Sequence, residues 1–319
     1  MTGRERIVFM GTPDFAVATL DALIADGQQV VAVVTAPDRP AGRGRQMRGS
    51  AVKQRAVELG LLVLQPERLK DPAFIATLDA LDAALYIVVA FRMLPEVVWA
   101  KPPLGTVNLH GSLLPAYRGA APINWAVING EPRTGVTTFR IRHEIDTGDV
   151  LLQEAIPIGP DATAGEVHDQ LMHTGAQLMM RTVHGLFDGS IRAVPQTIDP
   201  LAPPPDAPKL GAENTHIAFD RPAARVHDLV RGLSPYPGAW CTWADTDGGQ
   251  HHLKILRTGR TERASIMPPG SIKVEGQRLL VACADHELEI LELQAEGRKR
   301  MLAADFLRGT RAVDGSRLT

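Results

Sequence analysis

The chain has 319 residues, roughly twice the length of an ordinary domain, so one large domain or two ordinary ones are the options. It is 45% hydrophobic and 22% charged, and 34 basic against 36 acidic side chains leave a net charge of −2. That balance excludes a strongly basic nucleic-acid coat and an acidic disordered tail, while leaving room for a local basic patch.

Ile7–Met10 predicts a short apolar strand ended by Gly11, and helical spacing follows from Phe15 to Leu23, closed by Gly27. Val30–Thr35 reads as a β-branched strand and Val52–Leu59 as a helix, with further apolar strands at Leu61–Leu64, Leu85–Val89 and Thr106–His110. Strands that are continuously apolar, alternating with helices, predict an α/β fold with a Rossmann-like, mostly parallel sheet covered by helices on both faces. Val136–Ile141 and Val150–Ile158 add strands, and residues 163–188 read as a helix with apolar Val167, Leu171, Leu178 and Leu186.

Near residue 190 the character changes. Five prolines within Pro200–Pro208 cannot build a helix or a central strand. The stretch reads as a semi-rigid linker or a strap across the first domain. Beyond it, Arg221–Leu233 is helical in pattern. Short strands follow at Ala239–Trp243, His252–Thr258, Gly270–Val274, Arg278–Ala282 and Glu287–Leu293, broken by Gly and Pro, and predict a small β-barrel. The expected division is a first domain over 1–189, a linker over 190–208 and a second domain over 209–319. Residues 1–208 carry a net charge of −4 and residues 209–319 a net of +2, too small a difference to separate an RNA-binding face from a solvated one.

Cys241 and Cys283 are too few for a disulfide scaffold or a structural zinc site and suit a reduced, cytoplasmic chain. Apolar runs such as Ala83–Ala90 are too short to span a bilayer, and the first six residues lack a signal-peptide shape. No coiled-coil or swapping signal appears, so a monomer is expected.

The densest chemical signal is Asn108-Leu-His110-Gly-Ser-Leu-Leu-Pro115-Ala-Tyr-Arg118-Gly. Asn108 and His110 are two apart on a strand and share a face, at the carboxyl end where open α/β sheets bind ligands. Asp146 lies in a turn-like run, Glu144-Ile-Asp-Thr-Gly-Asp149. An amide, an imidazole and a carboxylate in one cleft suit acyl transfer to an amine, with donors for the oxyanion and a base for the proton. Equally, Asn108 and His110 can simply cap a strand and Asp146 serve a turn. From Asp38 to Arg55 there are six basic residues and one acid, with Gly42 and Gly44 loosening the backbone. This is either a flexible phosphate reader or an exposed solubilising loop.

The string Asn108–Pro115, then Arg118-Gly and Ile145-Asp-Thr-Gly-Asp149, resembles the folate-dependent formyltransferases. The resemblance implies 10-formyltetrahydrofolate as formyl donor and a catalytic set of Asn108, His110 and Asp146. Asn108 would hold the formyl oxygen, His110 share in oxyanion stabilisation and proton transfer, and Asp146 tune His110 and help move protons through an ordered water. It places Ser112, Leu113, Leu114 and Pro115 in the folate cleft, with a cis Leu114–Pro115 bond, and brings Phe91 and Ile145 to the same cleft. Gly11-Thr-Pro-Asp-Phe15 and Thr35-Ala-Pro-Asp-Arg39 with its following loop resemble the branch of the family that formylates initiator methionyl-tRNA. That branch carries an OB-like C-terminal barrel with tRNA contacts, and the resemblance implies Arg39, Arg43 and Arg45 as tRNA-binding, Arg43 foremost.

Two departures stand out. Many members read Ala-Tyr-Gly where this chain has Ala90-Phe91-Arg92. Ile123-Asn124-Trp125 is shared with sugar-nucleotide formyltransferases, which keeps a nucleotide-linked amino sugar as the alternative acceptor; Trp125 also reads as a core residue. With no Gly-x-Gly-x-x-Gly and no Walker A sequence, neither a nicotinamide cofactor nor a P-loop is expected. The pairs His168/His173 and His251/His252 are spaced for structural or exposed roles, so no metal is expected.

Overall fold

A computed structural model of the chain describes residues 5–41, 46–246, 248–310 and 313–319. The chain runs through β1 (Arg6–Gly11), α1 (Asp14–Ala25), β2 (Gln29–Val34), β3 (Arg39–Ala41), β4 (Gln46–Arg48), α2 (Ala51–Glu58) and β5 (Val63–Leu64). Next come α3 (Pro72–Leu81), β6 (Leu85–Val89), α4 (Glu96–Trp99), β7 (Thr106–His110), β8 (Arg118–Gly119), α5 (Pro122–Ile128), β9 (Arg133–Arg140), β10 (Val150–Pro157) and α6 (Ala164–Phe187).

Among the described residues, the first sheet has seven strands in the order β10-β9-β7-β6-β1-β2-β5. The pairs β1–β2, β1–β6, β2–β5 and β6–β7 are parallel, and β9 runs antiparallel to β7. Ile7, Val8, Phe9 and Met10 are all fully buried, as a strand covered on both faces requires. On one face Val8, Met10, Tyr86 and Val88 pack with Phe74 and Leu78 of α3 and Val98 of α4. On the other, α6 lies close to β7 at Gly175, where a Cβ would stand 2.7 Å from Leu109 Cδ2. The parallel strands therefore end on one edge, where β7 delivers His110.

The second half holds β11 (Asp206–Ala207), α7 (Ala212–Thr215), α8 (Ala223–Gly232), β12 (Ala239–Ala244), β13 (Gln250–Ala264), β14 (Ile272–Glu275) and β15 (Arg278–Ala282). It ends with β16 (His286–Ala295), β17 (Met301–Leu302), α9 (Ala303–Gly309) and β18 (Arg317–Leu318). Its strands form a curled antiparallel sheet in the order β14-β15-β16-β13-β12-β18, and an antiparallel bridge between Ser271 and Arg317 joins the two ends into a barrel. Ile255, Val281, Leu288 and Leu293 fill it with Val230 of α8. The thiols of Cys241 and Cys283 are buried there, and burial pushes each up to about 12, which leaves them inert.

Contacts divide the chain into two compact units. One comprises the chain up to Gly119 with Gly135–Ile156 and His168–Asp206; the other comprises Ala120–Thr134, Pro157–Val167 and Ala207–Thr319. Within the second unit α5 packs on α8. Asn124 Nδ2 donates to the Gly232 carbonyl at 2.8 Å, and a Cβ on Gly232 would stand 2.8 Å from the Ile128 nitrogen. The Trp125 ring packs against the barrel core, in line with the core reading, and its Nε1 donates to the Pro208 carbonyl at 2.7 Å. Also in this unit, His227 is buried with Nδ1 2.9 Å from Thr258 Oγ1 and Nε2 3.2 Å from the Pro160 carbonyl; burial holds its pKa below the ordinary value. Among the described residues no helix is long and apolar enough to cross a membrane.

Candidate active site

β7 ends with Asn108 and His110 on one face, between Val88 of β6 and Phe139 of β9. Asn108 is partly exposed, whereas His110 is buried, with the Phe139 ring edge-on at 6.4 Å. Its Nε2 lies 2.8 Å from the Tyr117 carbonyl. A carbonyl can only accept, so Nε2 must carry the hydrogen and donate it. In neutral His110 the free lone pair is then on Nδ1, which faces Asp146 Oδ2 across 3.7 Å. That distance exceeds a direct hydrogen bond and sets the carboxylate opposite the ring's free lone pair.

Asp146 is fixed from three sides. Its backbone is left-handed, with φ of 54°, a conformation Asp tolerates better than most residues but still at a cost of roughly 1–3 kcal/mol. Its Oδ2 accepts the Gly119 N–H at 3.0 Å, and its carbonyl accepts Gln196 Nε2 at 2.8 Å. The turn then crosses β9 so closely at Gly148 that a Cβ there would stand 1.6 Å from the Arg140 carbonyl oxygen. The Arg140 N–H donates to the Asp149 carbonyl at 2.9 Å, and Arg142 pairs with the Asp149 carboxylate at 2.5 Å. The Asp146 side chain is thus 12% exposed, with Oδ2 on the His110 side.

The segment after His110 is held by β9 and β10. The Ser112 carbonyl accepts Thr137 Oγ1–H at 2.6 Å, Thr137 Oγ1 accepts the Leu114 N–H at 3.1 Å, and Gln153 Nε2 donates to the Leu114 carbonyl at 2.8 Å. Ser112 and Leu114 are buried, Leu113 and Pro115 partly so, and the Leu114–Pro115 bond is cis as the resemblance implies. Ile145 is 59% exposed beside Asp146, placing an apolar side chain at the surface. Phe91 follows β6, packs against the core on that face and carries the Arg92 guanidinium over its ring at 5.6 Å. Arg92 donates to the Pro66 and Glu67 carbonyls, so the departure at Ala90-Phe91-Arg92 ties two loops together. Burial first, and the charge of Arg39 second, push the Arg92 pKa down.

Arg39 is exposed on β3 directly opposite Arg48 on β4. Arg43 and Arg45 lie outside the described residues. The root of the ribbon is fixed by Asp38, whose carboxylate accepts Gln65 Nε2 at 2.8 Å and Lys53 Nζ at 2.5 Å. The Gln65 hydrogen bond first, and Lys53 second, hold that carboxyl below its usual range. Among the described residues there is no group of three or more His, Cys, Asp or Glu placed to hold a metal ion, and His168 instead packs on Phe15 at 5.1 Å. A groove of about 780 Å³ between α1 and α6, lined by Val17, Ala22, Met172, His173 and Met180, includes none of the predicted site residues.

The structure therefore brings Asn108, His110 and Asp146 together. Sequence reasoning did not find the Tyr117 carbonyl, the Gly119 N–H or Gln196. Tyr117 and Gly119 lie inside the quoted motif, but backbone groups leave no side-chain signature, and Gln196 is a lone polar residue in a loop.

Residues 5–183 match the family model described as Formyl transferase, and residues 209–311 match Formyl transferase, C-terminal domain. The chain is 51% identical over 312 residues to a methionyl-tRNA formyltransferase of Parabacteroides distasonis, covering 97% of this chain and 96% of that one. It is 49% identical over 309 residues to the protein of the same name from Bacteroides fragilis, covering 95% and 94%. An N-formyltransferase structure from Helicobacter canadensis, in complex with folinic acid and dTDP-3-aminofucose, shares the fold at a TM-score of 0.62 and 17% identity, covering 91% and 98%.

Proposed function

The chain belongs to the formyl transferase family, and from that premise we propose that it moves the formyl group of 10-formyltetrahydrofolate to the α-amine of methionine esterified to initiator tRNA. What carries the chemistry is His110, its Nε2 tied to the Tyr117 carbonyl and its Nδ1 facing Asp146 at 3.7 Å, with Asn108 on the same strand face. The acceptor is supported by relatives near 50% identity along almost the whole chain.

In this reading the amine nitrogen attacks the formyl carbon and a C–N bond forms. Asn108 donates to the oxygen as it becomes negative, and protonated His110 adds its positive charge. The tetrahedral adduct collapses with cleavage of the bond to the folate nitrogen, which takes the electron pair. Protonated His110 gives its Nδ1 hydrogen to that nitrogen, and the proton shed by the amine returns to Nδ1, directly or through a water held by Asp146. Ser112–Pro115, Phe91 and Ile145 wall the folate cleft. Arg39, Arg43 and Arg45 meet the phosphates of the acceptor end. Residues 1–189 form the catalytic domain, 190–208 the linker, and 209–319 the tRNA-binding barrel. The protein works in the cytoplasm as a monomer.

The amino-sugar reading rested on Asn124 and Trp125. Both side chains donate within their own unit, to the Gly232 and Pro208 carbonyls, and the relatives near 50% identity favour the tRNA acceptor. The test is incubation with 10-formyltetrahydrofolate and either charged initiator tRNA or a nucleotide-linked amino sugar. Formylation of the tRNA alone is expected, with a loss of roughly a hundredfold or more in kcat for Asn108→Ala, His110→Ala or Asp146→Ala. Formylation of the sugar, or full turnover in all three variants, would overturn the assignment.

A further inference from the structure

The segment after α6 does more than lead to the barrel. Val194 exchanges both backbone hydrogen bonds with Val150, each at 2.8 Å, which pins the segment at the start of β10. Two residues on, the Gln196 side chain reaches the catalytic turn. Its Nε2 donates to the Asp146 and Gly148 carbonyls, both at 2.8 Å. Its Oε1 accepts from Arg118 Nε at 3.1 Å and from a terminal guanidinium nitrogen at 2.6 Å. Two carbonyls require a donor and a guanidinium requires an acceptor, so the amide has one consistent orientation and most of its capacity is used. Further along, the Pro205 carbonyl accepts the Tyr117 N–H at 2.6 Å, and the carbonyl of that same Tyr117 orients His110.

We infer that Gln196 is a positioning residue for formyl transfer, holding Asp146 in its left-handed conformation so that the carboxylate faces Nδ1 of His110. Gln196 touches neither His110 nor any reacting atom. It acts through the Asp146–Gly148 turn, whose two carbonyls it gathers onto one amide, and through Arg118, which it holds at the start of β8. Charge-assisted hydrogen bonds from the guanidinium make this the stronger half of the clamp. Without the clamp, Asp146 can relax toward ordinary backbone angles, and its carboxylate then leaves the imidazole.

The inference rests on the formyl-transfer reading, so the experiment begins with wild-type protein, 10-formyltetrahydrofolate and charged initiator tRNA. An inactive wild type would remove that reading; an active one makes the variants informative. Gln196→Met keeps the shape but loses every hydrogen bond. Gln196→Glu keeps an acceptor for Arg118 but has no donor for the two carbonyls. Each is expected to lower kcat roughly 10- to 100-fold per active site, since displacements near 1 Å have effects of that size, with KM for both substrates within about threefold. Single-turnover rates in the Asp146→Ala background supply the second readout. There Gln196→Met should cost less than about twofold further, because the group it positions is gone. A loss confined to KM, an equal fold-loss in both backgrounds, unchanged kcat in both variants, or loss of the fold in both would each overturn the inference.

Discussion

Gly148→Ala probes the catalytic turn without touching any reacting group. An alanine Cβ at this position would stand 1.6 Å from the Arg140 carbonyl oxygen and 2.8 Å from its carbonyl carbon. Both obstacles are backbone in β9, so no side chain can swing aside. Real Cβ contacts are essentially never below 3.0 Å, so the turn must retreat by about 1.4 Å. That retreat pulls on the Gln196 hydrogen bond to the Gly148 carbonyl and carries Asp146, two residues away, off His110. A misplacement of this order costs roughly a hundredfold in rate, or about 2.7 kcal/mol of transition-state stabilisation. The assay is single-turnover formylation of charged initiator tRNA, with circular dichroism and thermal unfolding to verify the fold. Gly259→Ala, whose Cβ would meet only Leu291 Cδ1 at 3.7 Å, serves as the silent comparison. A folded Gly148→Ala protein within threefold of wild-type kcat would refute the claim that the Asp146 geometry limits the rate.

Burial lowers the His227 pKa below its ordinary 6.5, so just below that pH the unfolded chain binds more protons than the native one. Stability is therefore full above about pH 6.5 and falls on acidification toward the native pKa. Unfolding midpoints followed through this window should slope less in His227→Gln, and parallel slopes would count against a buried neutral imidazole. Leu293→Ala, at a fully buried barrel position, should cost about 2–5 kcal/mol by urea unfolding; a loss under about 1 kcal/mol would mean the barrel core closes over the gap. Raising salt should weaken tRNA binding, and Arg39→Ala should reduce the slope of log affinity against log salt by about 0.7–0.9 if it contacts one phosphate. An unchanged slope would take Arg39 out of the interface.

The strands of the first half were legible because both of their faces are buried: Ile7–Met10 and Leu85–Val89 are apolar throughout, and no turn chemistry interrupts them. The short ribbon of β3 and β4 was not, since an Arg- and Gly-rich stretch carries neither alternation nor helical period. α3 carries only local signals, with Asp71 accepting the Ala73 N–H and Pro72 opening the helix. For the site, the pairing of Asn108 with His110 followed from strand periodicity, whereas the 3.7 Å approach of Asp146 depends on strand order. Gln196 was out of reach for a different reason, because its partners include backbone carbonyls up to fifty residues distant.

The packing of α5 against α8 has an evolutionary corollary. The two helices are separated by most of the chain's middle, yet Ile128 and Trp125 belong to the same apolar cluster as Val230 and Leu293. A recombination event that imported only the final hundred residues from a distant cousin would inherit an α8 whose companion had been left behind. Viable chimeras should therefore bring the 120–134 stretch along, and sequence changes at Ile128 and Gly232 should track one another across lineages.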